Sequence, residues 1–258
     1  DQNGFCPACA ASPPYSGPRR SGSARCPGGG RDHGRAQHMN ASRALAPYVP
    51  RLVVEWLGTD PEAHHRRIAG SLAFVDISGF TALTERLARK GHVGAEEMSD
   101  ALDATFSHLL GVADQFDADL VKWGGDAVLL LFSGEGHAAR ACAAAYGMRA
   151  RLREVGQLRT SAGNIRLRMS VGIHSGEFDF FLVGDPDLHR ELLVTGPAAS
   201  ETARLEGVAQ AGQVVVSATT AALIGDAALG DRVDPQGWLL RRAPAVAVER
   251  RAPDDAHP

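Results

Sequence analysis

Two aspartates interrupt sequence that otherwise reads as buried strand. Asp76 stands near the end of SLAFVD, and Asp126 stands between Gly125 and Ala127 in DLVKWGGDAVLLLF, residues 119–132. Taking a carboxylate's charge out of water costs on the order of several kcal/mol unless a cation or hydrogen-bond donors meet it. Each aspartate therefore needs a partner. Taken singly, turn chemistry would account for Asp126, and a hydrogen bond from the following loop would account for Asp76. Taken together they say more, because Asp76 is followed by Ser78-Gly79-Phe80-Thr81, a glycine loop opening a helix. Backbone N–H groups at such a helix start hold anions, phosphate above all. Carboxylates beside a phosphate cradle suit magnesium, which takes one or two carboxylates and completes its shell with substrate oxygens.

The elements that must position these groups follow from periodicity. SLAFVDI (71–77) reads as a compact strand, SGFTALTERLARK as a loop running into a helix that Thr81 is placed to cap, and GAEEMSDALDATFSHLLGVADQF as a longer helix. That helix shows Met98, Ala101, Thr105, Leu109, Val112 and Phe116 at helical spacing. Asp119–Trp123 and Ala127–Phe132 read as a hairpin closed at Gly124-Gly125-Asp126. A helix over about 135–155 follows. Next come the strands IRLRMSVGIHSG and FDFFLVG, a helix from Ala198 to Glu206, the strand GQVVVS and a brief helix through TTAALIG. Hairpins mixed with crossing helices predict an α+β domain, one sheet with helices packed against it.

Four segments are expected: a disordered arm at 1–38, a helical lead-in at 39–70, a catalytic domain at 71–225, and a linker or tail at 226–258. The arm is rich in Gly, Pro, Ser and Arg and cannot bury enough apolar surface to offset the entropy of ordering. Its Cys6, Cys9, Cys26 and His33 lack the spacing and hydrophobic surroundings of a zinc ribbon. Met39, where helical apolar spacing begins, is a candidate natural start, which would make the arm an artefact of upstream reading.

Composition narrows the function classes. With 258 residues, 44% hydrophobic, 22% charged and a formal net charge of -3, the chain can bury one sizeable core and lacks the cationic excess of a protein held to nucleic acid by its backbone. Its apolar runs, AVLLLF being typical, are far short of the roughly 20 residues of a membrane span. The single cysteine of the body, Cys142, lies in an Ala-rich helical pattern that suits core packing. That usage, with no secretory signal, suits a reducing cytosol, and a cytoplasmic location is expected.

FVDISGFTALTE, the KWGGD hairpin and SVGIHSG together resemble the catalytic domain of the class III adenylyl and guanylyl cyclases, from about Leu72 to Ser217. GAEEM, DLVKWGGDAVLLLF and LVGDPDLHRELLVTGPAASETARL are similar in particular to the first of the two cyclase domains of bicarbonate-responsive soluble adenylyl cyclases and their bacterial relatives. The resemblance implies the class III nucleotidyl cyclase fold, a ferredoxin-like, palm-type sheet with helices against it. It implies conversion of ATP, with GTP as the other substrate of the class, to a cyclic nucleotide and pyrophosphate. Two Mg²⁺ or Mn²⁺ ions would be held by Asp76, Asp126 and the main-chain carbonyl of Ile77, one for the ribose 3′-hydroxyl and one for the triphosphate. Gly79, Phe80 and Thr81 match the triphosphate loop, and Lys122 matches a lysine that contacts the purine.

Active sites of this family form between two domains, so the resemblance also implies a homodimer or a second cyclase domain, in cis or in trans. Here the complementing half departs from the pattern. The N-x-x-x-R helix reads Ser200-x-x-x-Arg204, keeping the arginine that stabilises the transferred phosphate and replacing the asparagine that orients the ribose. The aspartate that reads the adenine amino group is replaced by Leu193, and a basic residue before VGIHSG by Ser170, with Arg168 two residues earlier on the same strand face. A symmetric dimer of such chains would have weak activity, since a missing positioning group can cost on the order of a hundredfold. In the bicarbonate-responsive enzymes the degenerate pocket takes an activating anion, so Lys122 and Arg204 would bind bicarbonate. An exposed strand-end lysine and a surface helix charge are the plainer readings of these two residues. His174 is read as a strand histidine satisfied by its neighbours. Two other readings stay open: diguanylate synthesis, suggested by WGGDA but missing the acidic residue and phenylalanine of that signature, and a regulatory module that binds nucleotide or bicarbonate without turnover.

Overall fold

The computed structural model describes residues 48–234 and 237–246. The arm at 1–38 with its cysteines, Met39 and the end of the tail from 247 lie outside the described residues. The described chain runs α1 (Arg51–Thr59), β1 (His65–Ser78), α2 (Phe80–Ala88), α3 (His92–Asp114), β2 (Asp119–Gly124), β3 (Ala127–Ser133) and α4 (His137–Val155). It continues β4 (Gln157–Thr160), β5 (Gly163–Arg166), β6 (Arg168–Asp185), β7 (His189–Thr195), α5 (Pro197–Val208), β8 (Val214–Ser217), α6 (Ala218–Ile224), a 3₁₀ turn, β9 (Leu229–Asp234) and β10 (Gly237–Leu240). Eight strands form one mixed sheet in the order β2-β3-β1-β6-β8-β10-β9, with β7 on β6; β4 and β5 make a separate hairpin. This is the α+β architecture expected, with helices on both faces.

Alternation along the strands separates two packing layers. Ala73, Val75 and Ile77 of β1, Val128, Leu130 and Phe132 of β3, and Val171 and Ile173 of β6 face one way, into a core completed by α2, α3, α4 and α6. Leu72, Leu131, Phe178, Phe180 and Leu182 face the other way, under Leu52 and Trp56 of α1. Asp119 fixes α1 from a distance: its carboxylate accepts the N–H groups of Arg51 at 2.9 Å and Leu52 at 2.8 Å, two donors that the helix leaves unsatisfied. Helix α5 lies on this second face, where Gly172 admits it. A Cβ on Gly172 would stand 2.2 Å from the Glu206 nitrogen and 2.5 Å from the Thr202 carbonyl oxygen.

Four expectations change. SVGIHSG and FDFFLVG are one unbroken strand, β6, because residues on both sides of Gly176 continue the same antiparallel register with β1, from Ser78↔Arg168 to His65↔Phe181. Ile165 belongs to the β4–β5 hairpin instead. Thr81 does not cap α2; Gly79 occupies the cap position with φ +109°, and Thr81 lies inside the first turn. Among its described residues the lead-in is helical over Arg51–Thr59 alone, since β1 starts at His65. Residues 229–234 and 237–240, expected within a linker or tail, form β9 and β10, and β10 pairs with β8 in the main sheet. The segment is short and carries Asp231, Arg232 and Asp234, so its apolar pattern is faint, and its place is set by the Val215–Ser217 edge it covers.

Candidate active site

The end of β1 and the β2–β3 turn meet through the sheet ladder. Asp76 is opposite Ala127 in register, and the N–H of Ile77 donates to the carbonyl oxygen of Asp126 at 3.0 Å. The two aspartates are thus neighbours across one rung, Asp126 at a two-residue turn whose first residue, Gly125, has φ +71°. A primed hairpin turn needs that left-handed geometry, and glycine supplies it without strain. A Cβ at Gly125 would meet nothing within 4 Å, so the residue is required by its backbone angle rather than by crowding from the protein.

The electrostatics agree with the ladder. The Asp76 carboxyl is pushed above the usual carboxylate range by burial, by the charge of Asp126 and by the charge of Glu206. Glu206 comes from α5 and is anchored by Ser170, whose hydroxyl donates to Oε1 at 2.8 Å; Ser170 is itself opposite Asp76 in register. Among the described residues no group of three or more His, Cys, Asp or Glu side chains is disposed to hold a metal on its own. The donor set at this corner is two carboxylates and the neighbouring carbonyl, hard oxygens that leave most of an ion's shell to ligand and water, and this fits magnesium or manganese.

Helix α2 starts next to this corner. Its first intrahelical bond is Leu83 N–H to Gly79 carbonyl at 3.0 Å, so the N–H groups of Phe80, Thr81 and Ala82 precede the bonded ladder and point out of the helix start. Thr81 is exposed there. Phe80 contributes only backbone, because its side chain is buried and stacks on Phe106 at 6.1 Å. At Gly79 a Cβ would come within 3.1 Å of the Leu167 side chain.

A cleft of about 490 Å³ opens between β1–β3 and α5, lined by Phe74, Lys122, Gly124, Thr195 and Ser200 among others. Lys122 and Ser200 share its wall. Arg204 is not in the lining; it is held on α5 by Glu201, whose two carboxylate oxygens accept from Nε and Nη2 at 2.8 Å each. Lys122 is engaged as well, donating to Glu191 Oε1 at 2.7 Å and holding that carboxyl below its usual range. Leu193 is 40% exposed on β7, two residues from Glu191. Arg168, opposite Ser78, is exposed. His174 packs edge-on against Phe178. Cys142 is fully buried, and burial pushes its thiol up to about 12.

Three residues at the site escaped the sequence reading: Glu191, Glu201 and Glu206. Glu201 was findable, since Glu and Arg three apart on a helix are neighbours. Glu191 and Glu206 reach their partners across 69 and 36 residues of chain, and no local signal announces either.

Comparison with known proteins accords with this geometry. Residues 64–234 match the family model of the adenylate and guanylate cyclase catalytic domain. Human adenylate cyclase type 10 is 27% identical over 177 residues, which is 67% of this chain and 11% of that protein, so the chain spans about a tenth of the length of the curated relatives it matches. Among solved structures, the guanylyl cyclase Cya2 superposes with a TM-score of 0.58 at 26% identity, covering 69% of this chain and 94% of that one. The adenylyl cyclase CyaB from P. aeruginosa gives 0.55 at 22% identity, covering 71% of this chain and 100% of that one, a likeness of fold. No helix among the described residues is long and apolar enough to cross a membrane. The ladder that joins Asp76 to Asp126, the glycine-led helix start beside them and the family match over the same residues lead to one conclusion: the chain belongs to the adenylate and guanylate cyclase catalytic domain family.

Proposed function

We propose that the chain is a nucleotidyl cyclase domain that converts ATP to cyclic AMP and pyrophosphate, with a second cyclase domain completing its site. The observation that carries this is the juxtaposition of Asp76 and Asp126, two carboxylates with a third, Glu206, close enough to raise Asp76. Such a cluster of like charges is stable as a binding site rather than as a packing device, because cations relieve it. Asp76, Asp126 and the carbonyl of Ile77 would hold two divalent ions. When bound, these would supply acidity to the ribose 3′-hydroxyl and neutralise charge on the departing pyrophosphate. The N–H groups at Phe80 and Thr81 would orient the triphosphate, as helix starts do. The bond from the 3′-oxygen to the α-phosphorus forms as the bond to pyrophosphate breaks, and the chain's contribution is alignment and charge. Lys122, on the cleft wall, would contact the purine, and Arg204 would meet the transferred phosphate of a site shared with a partner. Adenine is favoured by the likeness to adenylate cyclase type 10, while Cya2 keeps guanine in view.

One observation favours a second reading, a regulatory module that takes nucleotide or bicarbonate. Lys122 and Arg204 are each engaged by a carboxylate of their own chain, so an incoming anion must displace Glu191 or Glu201. The deciding experiment is cyclic nucleotide production by the purified chain with Mg²⁺ or Mn²⁺, ATP against GTP, alone and with an added second cyclase domain. Metal-dependent cyclic AMP that disappears in Asp76→Ala supports the enzyme. Turnover surviving that substitution removes the two-metal assignment, and no turnover in any mixture favours the regulatory module.

A further inference from the structure

A second charged cavity lies where the last turn of α4 meets the β5–β6 junction, and its lining includes neither Asp76 nor Asp126. It has a volume of about 300 Å³ and is lined by Arg149 and Arg153 of α4, Arg166 at the end of β5, Arg168 at the start of β6, and the turn at Gly212 and Gln213. Among the described residues its lining carries four guanidinium groups and no carboxylate. Among the described residues none of the four arginines forms an ion pair. Arg149 is partly buried, and burial together with the neighbouring Arg153 lowers its pKa; it rests on the Tyr146 ring at 4.8 Å and on the Leu240 carbonyl oxygen at 3.5 Å.

The plain explanation would be the carbonyl end of α4, which attracts cations to its last turn. A helix terminus is worth roughly half an elementary charge. That accounts for one arginine, not for four, two of which come from another segment of chain. Guanidinium forks are shaped for oxyanions and bind phosphate in pairs of parallel hydrogen bonds. A cavity of this size admits a phosphate or diphosphate group and is too small for a whole nucleotide in its interior. We infer that the cavity bounded by Arg149, Arg153, Arg166 and Arg168 is an anion site for a phosphate-class ligand, either a free inorganic phosphate species or the phosphate end of a nucleotide whose base stays outside. This inference does not rest on the cyclase reading.

The test is titration of the full chain with inorganic pyrophosphate, free of divalent metal and at near-physiological ionic strength, so that the acidic corner offers it nothing and diffuse attraction is screened. Wild type is expected to bind one equivalent. Arg153→Gln and Arg166→Gln, both exposed and removable without disturbing the core, are each expected to weaken binding about tenfold, the scale of one charge-assisted hydrogen bond. Arg151→Gln, on the same helix as Arg153, outside the cavity lining and paired with Glu154, should leave the affinity unchanged. Competition by a non-hydrolysable ATP analogue that abolishes pyrophosphate binding upholds the site with a nucleotide as its source; competition by phosphate alone upholds it with a free anion. No metal-free binding, or binding unmoved by both arginine substitutions, overturns the inference.

Discussion

At Asp76 the neighbouring charges are of its own sign, whereas at Lys122 and Arg204 each cation rests against a carboxylate of its own chain. The acidic corner is left electrostatically unbalanced by its fold, and the cationic side of the cleft is balanced. An unbalanced cluster draws ligands; a balanced one must be opened first. The comparison accords with the proposed function, in which this domain would bring the ion-binding half of a shared site and a partner the other half.

The largest effect that could break this comparison is at the corner itself. Asp76→Ala and Asp126→Ala are each expected to lower metal-dependent cyclic nucleotide formation on the order of a hundredfold or more. The melting temperature in the absence of metal should hold or rise, because each change removes one of the carboxylates that repel one another at this corner. A fall in both activity and stability would show that these carboxylates hold the fold together. Next in size is Gly172→Ala, which drives a methyl group against the backbone of α5 and is expected to cost about 1–3 kcal/mol in thermal or denaturant unfolding. Because α5 carries Ser200 and Arg204 but neither aspartate, Mn²⁺ binding should survive in the folded fraction. Loss of ion binding there would mean that the two halves are not separable.

Smaller changes follow from opening the balanced side. Glu191→Gln removes the carboxylate that Lys122 meets and Glu201→Gln removes one that Arg204 meets, and affinity for bicarbonate or nucleotide, read by titration, should rise about two- to fivefold, the scale of a partly exposed ion pair. Unchanged affinity would mean that these pairs do not guard the cleft. The smallest effect is on acidification. His137 Nδ1 meets the buried Ser71 hydroxyl at 2.8 Å, and burial followed by the Arg140 charge lowers its pKa. A group with a lowered folded pKa gives stability present above its ordinary value near 6.5 and lost as pH falls through the folded value. Melting curves from pH 7.5 to 5 should show a loss that is reduced in His137→Gln, far from either charged region.

Sequence reading recovers what is local. The Gly124-Gly125-Asp126 turn, the glycine before α2 and the long helix are written in a few adjacent residues each, and the sheet ladder then brings Asp76 to Asp126 as their positions required. What it misses is decided at a distance. Gly176 looks like a strand end, yet it sits opposite Gly70 inside a continuous ladder, a pairing that no window around Gly176 contains. β9 and β10 have little apolar pattern of their own and become strands because β8 offers an edge. Glu191 finds Lys122 only because the β6–β7 hairpin packs back over the sheet, Leu192 sharing a core with Val121. Charge balance at the cleft is therefore a tertiary property, while charge imbalance at the corner is legible from two short motifs.

The unbroken course of β6 has a mechanical consequence. Residues 168–181 are locked rung by rung to β1, so the strand behaves as a stiff beam with Ser170 near one end and the β7 pairing at the other. A beam without a joint cannot yield at one tip alone. Force applied to the outer hairpin, by a docking neighbour or a tethered domain, is delivered along its length to the serine that steadies Glu206 and so to the surroundings of Asp76.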